Sequence, residues 1–172
     1  MLTLDRAHGK ALDLQHKLEV AEASVQVTES LIPPKLVFAV PMTGLGGVTA
    51  AFDNNTGSWY NEKADWDAWG YVPAQHKGKP ILRLRYHYVN WNPNEYKKVK
   101  TLELWYYNGS TWVHHVTLNT KYPTAPWPTY EDFDLFTNPM PNPTGLVRII
   151  GRNSWDQYGY RWVSECQFSV LE

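Results

Sequence analysis

The chain holds a single cysteine, Cys166, which excludes an internal disulfide framework and any thiolate-built metal site within one polypeptide. Charge is also scarce. Only 19% of the residues are charged, and sixteen basic against seventeen acidic side chains leave a formal net charge of −1. No long-range field draws in nucleic acid, and the cluster Lys97, Lys98 and Lys100 reads as a solvated loop end. No apolar run is long enough for a membrane helix, because the segment from Leu36 to Phe52 is interrupted by Pro41, Gly44, Gly46 and Gly47. The polar opening with Asp5, Arg6, His8 and Lys10 lacks the apolar stretch of a secretory signal, so synthesis and folding in a cytoplasm are expected.

Catalytic and cofactor signatures are missing as well. There is no G-x-S-x-G, and Gly44-Leu45-Gly46-Gly47 lacks the Lys and Ser/Thr of a phosphate loop; it reads as a tight turn. His114 and His115 are adjacent, and neighbours on a strand point to opposite faces, which makes a shared metal ion unfavourable. Neither an enzyme nor a cofactor or metal is expected.

What the chain does have is aromatic mass, with nine Trp and eleven Tyr beside twelve Pro. Burial of such side chains offsets the entropy of ordering. At the start, Leu4, Ala7, Ala11, Leu14, Leu18, Ala21, Val25, Thr28 and Ile32 recur at steps of three and four, the spacing of a coiled-coil seam. Leu12, Leu14, Leu18 and Val20 also fit a strand alternation. The longer pattern favours a helix, although Gly9 costs it ~1 kcal/mol. Pro33-Pro34 ends either element. The expected organisation is an N-terminal oligomerisation arm over residues 1–34, with Leu14, Leu18 and Val25 carrying assembly, and a β domain over residues 35–172.

In that second part short alternating runs separated by turns predict strands near 36–41, 48–53, 68–73, 80–91, 98–107, 111–119, 130–136, 145–151 and 160–171. The expected fold class is all-β, an antiparallel jelly-roll-like sandwich with a helical arm. Asn108-Gly109 predicts a type I′ hairpin turn that sets Trp105 opposite Trp112, Glu103 opposite His114, Leu104 opposite Val113 and Leu102 opposite His115. Leu102, Leu104, Tyr106 and Val113 then form an apolar face. Thr101, Glu103, Trp105, Trp112 and His114 occupy the other. In the preceding strand Leu82, Leu84, Tyr86 and Tyr88 oppose Arg83, Arg85 and His87, and in the last strand Trp162, Cys166, Phe168 and Val170 oppose Arg161, Glu165, Gln167 and Ser169.

The indoles of Trp105 and Trp112 are the sharpest candidates for contact with a ligand. An exposed flat aromatic surface suits the C–H face of a pyranose or a partner subunit; the plainer role is a cross-strand pair that rigidifies the hairpin. Glu103, His114 and Arg85 are the candidate hydrogen-bonding groups around them. Trp59, Tyr60, Trp66, Trp69, Trp91, Trp127, Trp155 and Tyr158 read as loop aromatics, either a recognition surface or plugs for the sandwich ends. Asp65/Asp67 and Asp132/Asp134 have a strand spacing that a glycosidase or lyase can use, as can any solvated edge.

An arm joined to a β sandwich rich in proline, asparagine and aromatics resembles jelly-roll structural proteins of viruses and phages, either single-barrel capsid subunits or trimeric fibre and spike heads. That resemblance implies a homo-oligomer located in the virion, with itself, other virion proteins and a cell-surface glycan as partners. Residues 35–172 taken alone resemble carbohydrate-binding modules, which is the alternative expectation for function.

Overall fold

The computed structural model describes residues 36–40, 42–88, 98–122, 130–155 and 158–171, which belong to one compact unit, Leu36–Glu172. The expected arm over residues 1–34, including Leu14, Leu18 and Val25, lies outside the described residues, as do Trp91 and Trp127.

Among the described residues the strands are β1 (Leu36–Val40), β2 (Thr43–Gly47), β3 (Tyr60–Glu62), β4 (Trp66–Tyr71), β5 (Ile81–His87), β6 (Val99–Tyr107), β7 (Trp112–Asn119), β8 (Tyr130–Asp134), β9 (Leu146–Ser154), β10 (Arg161–Val163) and β11 (Glu165–Leu171). They form a four-stranded sheet in the order β1-β11-β5-β8, a five-stranded sheet in the order β2-β4-β9-β6-β7 and a small β10-β3 pair. The strand pairs in these sheets are antiparallel. The all-β sandwich read from the sequence is therefore the fold.

Alternation decides what each sheet buries. Leu84, Tyr86, Cys166, Phe168 and Val170 of one sheet join Trp66, Ala68, Leu102, Leu104, Val147 and Ile149 of the other in a single core cluster. Each fully buried large apolar side chain contributes ~1.5–3 kcal/mol. Trp66, at 1% exposure, lies over Gly151, where any Cβ would overlap its ring. Arg83, Arg85 and His87 are only half-buried on the opposite side of β5, as the alternation predicts.

Several expectations are corrected. Gly44-Leu45-Gly46-Gly47 is not a tight turn but most of β2, and the strand expected at 48–53 is instead a short 3-10 turn at Thr49–Phe52. Backbone hydrogen bonding to β4 makes this glycine-rich segment a strand despite its poor propensity. The stretch 160–171 is two strands. They are separated at Ser164, whose hydroxyl donates to the carbonyls of Thr56 (2.5 Å) and Ser58 (2.9 Å). Tyr60 and Trp66, expected in loops, lie in strands.

The β6–β7 register also moves. Tyr107 pairs with Trp112, Trp105 with His114, Leu104 with Val116, Glu103 with Thr117 and Leu102 with Leu118, with a bulge between Leu104 and Trp105. Of the turn residues only Gly109 has positive φ, +105°, so it takes the first central place, as in a II′ turn, rather than the second. The Asn108 side chain accepts the backbone N–H groups of Ser110 (2.8 Å) and Thr111 (2.9 Å). The faces of β6 survive the shift, with Leu102 and Leu104 fully buried.

Lys98 and Glu165 are buried rather than solvated, at 3% and 1% exposure. The Lys98 ammonium is paired with Glu131, donates to the Lys121 carbonyl at 3.0 Å and sits 4.5 Å from the Tyr88 ring centroid. Burial lowers its pKa.

Candidate functional site

Directly paired residues of antiparallel strands share a face. Gly46 pairs with Trp69, Trp69 with Arg148, Arg148 with Trp105 and Trp105 with His114. One row of side chains thus crosses the five-stranded sheet on its outward face. The adjacent row runs Asp67, Ile150, Glu103 and Thr117. Trp112 projects beside the first row, its ring 5.6 Å from that of Tyr107.

Arg148 organises the centre. Its Nε donates to Asp67 Oδ1 at 2.8 Å and its Nη2 to Asp67 Oδ2, a two-pronged pair that suits a planar guanidinium. This bonding raises the Arg148 pKa. The guanidinium carbon lies 6.0 Å from the ring centroids of both Trp105 and Trp112. Asp67, Trp69, Trp112 and Arg148 line a cleft of about 420 Å³, within the range of roughly 300–1,000 Å³ found for small-molecule sites.

Beside the cleft, Glu103 accepts hydrogen bonds from Arg152, including Nη2 at 3.1 Å, and from Trp105 Nε1 at 3.3 Å. The Arg152 bonds hold its carboxyl below the usual carboxylate range. Arg152 also meets Asp65 at 3.2 Å, and Asp65 forms a second ion pair with Arg161 at 2.9 Å. His114 Nε2 lies 3.0 Å from Thr117 Oγ1, and its ring meets Trp105 edge-on at 4.9 Å.

Of the residues singled out from the sequence, Trp105, Trp112, Glu103 and His114 come together on this face. Arg85 does not. It sits on β5 of the other sheet, held by Asp132 at 2.6 and 2.7 Å and stacked 4.2 Å from the Tyr130 ring centroid. Asp67, Trp69 and Arg148 line the cleft; the sequence reading has Asp67 only in a carboxylate pair, Trp69 only among the aromatics of a recognition surface or plug, and Arg148 nowhere. Their signal was present in the alternation of Trp66-Asp67-Ala68-Trp69 and Val147-Arg148-Ile149. The strand expected at 68–73, however, began too late to include Asp67.

Glu103 on this face is held below the usual carboxylate range, whereas a general acid near neutral pH needs a raised pKa. Across the sandwich the other carboxylate pair is ion-paired as well. Asp132 is lowered by its Arg85 hydrogen bonds, and Asp134 is bound by Arg83 at 2.6 Å. For metal, no group of three or more His, Cys, Asp or Glu side chains converges among the described residues.

No protein-family profile matches the sequence, and no curated protein matches it. Solved structures do match in shape. A family 32 carbohydrate-binding module from Clostridium perfringens, in complex with galactose, superposes with TM-score 0.56 at 11% identity over 77% of this chain and 98% of that one. An F5/8 type C domain from Bacteroides fragilis gives 0.52 at 11%, over 77% and 98%. Another family 32 module from Clostridium perfringens, in complex with GalNAc-β-1,3-galactose, gives 0.51 at 12%, over 78% and 91%. The fold is that of these modules.

The shape comparison overturns the virion reading. The chains described above are bacterial carbohydrate-binding and F5/8 type C domains, not capsid, fibre or spike subunits. The virion location, the virion partners and the coiled-coil assembly expected with that reading fall with it. A β sandwich rich in aromatics serves both kinds of protein, so composition did not separate them.

Proposed function

We propose that this chain is a non-catalytic glycan-binding module, with residues 35–172 as the binding domain and residues 1–34 as a separate segment. Its binding face is the outward face of the five-stranded sheet. The carrying observation is the cleft in which the indoles of Trp69 and Trp112 flank the Asp67–Arg148 pair. Flat apolar walls take the C–H faces of a sugar ring, and a paired carboxylate and guanidinium supply acceptor and donor to its hydroxyls. Trp105, Glu103 and His114 extend that face. Arg85, on the other sheet, has no part in it. Solved relatives in fold are described in complex with galactose and with GalNAc-β-1,3-galactose, which supports a glycan as the partner.

A glycan array on the intact protein, followed by titration of the best ligand, tests the proposal. W112A and W69A should each weaken binding at least tenfold while leaving the circular dichroism spectrum unchanged. A blank array, or a ligand bound equally well by both variants, would remove this function from this face.

A further inference from the structure

We infer that the face accommodates an uncharged oligosaccharide lying across the strands, in contact with more than one sugar unit, rather than a single terminal sugar. The inference rests on the glycan-binding reading and deepens it.

Two observations carry it. The first is extent. The row from Trp69 through Arg148 and Trp105 to His114 spans four neighbouring strands, and strands lie about 4.8 Å apart, so the row is roughly 14 Å long. That exceeds the reach of one pyranose ring. The cleft lined by Asp67, Trp69, Trp112 and Arg148 has its two indoles on β4 and β7, and Trp105 on β6 and His114 on β7 fall within the same span of strands. Trp105 is half-buried and His114 exposed, so two further rings line the span of strands that the cleft's indoles bracket.

The second observation is charge. Arg148 is bound through two nitrogens to Asp67, Arg152 to Glu103 and Asp65, and Arg161 to Asp65. An acidic sugar meets guanidinium charges already neutralised by these pairs and faces the Asp67 carboxylate as a like charge, a cost of the kind that rejects the wrong ligand. A hydroxyl-bearing ring does not. It can donate to Asp67 and accept from Arg148 without breaking the pair.

The experiment uses the intact chain and calorimetric titration with a neutral series, galactose through a β-linked galactopentaose, and the corresponding cello- and chito-oligosaccharides. Oligogalacturonate and sialyllactose provide the acidic arm. For the series that binds, affinity should rise at least tenfold from mono- to trisaccharide. W105A should weaken trisaccharide binding by a larger factor than monosaccharide binding, and D67N should shift preference toward the acidic ligands. Affinity independent of length, with W105A silent, would overturn the extended site and leave glycan binding standing. Tighter binding of oligogalacturonate or sialyllactose by the unaltered chain would overturn the uncharged class. Failure of the chain to bind any sugar would overturn the inference together with the reading beneath it.

Discussion

The Trp69 indole lies on the bare backbone of Gly46, its direct partner on β2. A Cβ at Gly46 would overlap the six-membered ring and stand 2.9 Å from Nε1. Gly46 therefore seats one wall of the cleft. G46A should displace the indole, destabilise the fold by about 1–3 kcal/mol through overpacking and weaken glycan binding. Urea denaturation and the Trp69 indole resonance would report the change. An unmoved resonance in a normally stable variant would mean that the glycine has no seating role.

Arg85 provides the contrasting case. Its pair with Asp132 is partly exposed, at 19% and 30% for the two side chains, so screening limits its worth to ~1 kcal/mol or less. R85A should cost little stability and leave glycan affinity unchanged. Loss of binding in that variant would move the site to the other sheet.

Burial pushes the Glu165 carboxyl up to about 8. One oxygen accepts the Asn55 backbone N–H at 3.2 Å, and the other has no hydrogen-bond partner. With its folded pKa above the unfolded value, the native state holds the extra proton, and stability falls as pH rises from about 4.5 to about 8. Thermal melts across that window, in EDTA so that no divalent cation compensates the carboxylate, should show a decline that E165Q flattens. An equal slope in both proteins would show that another group is responsible.

Lys98 and Glu131 form a buried pair, with side chains 2% and 10% exposed. Removing one partner leaves the other charge uncompensated, so E131A should cost about 3–5 kcal/mol. The double variant K98M/E131L should recover most of that loss in denaturant titrations. If the double variant is no more stable than E131A, the penalty comes from lost packing.

Period-two alternation was enough to specify much of this molecule. It put Leu102 and Leu104 in the core, Arg83 and Arg85 on an outward face, and Glu103, Trp105 and Trp112 together on another, because successive side chains of a strand must point to opposite sides whatever the strand's neighbours. Strand adjacency is a different matter. Residues 67 and 148 are far apart in sequence, and nothing local says that β9 lies between β4 and β6, which is what brings Arg148 to Asp67 and sends Arg85 to the other sheet. The glycines of β2 likewise look like a turn until an indole needs bare backbone to lie on. The sequence by itself determined the β class and the two-sidedness of its longer strands. Which strands stand side by side, and hence where the cleft opens, was decided only by the tertiary structure, since nonlocal packing and backbone pairing are summed over the whole chain.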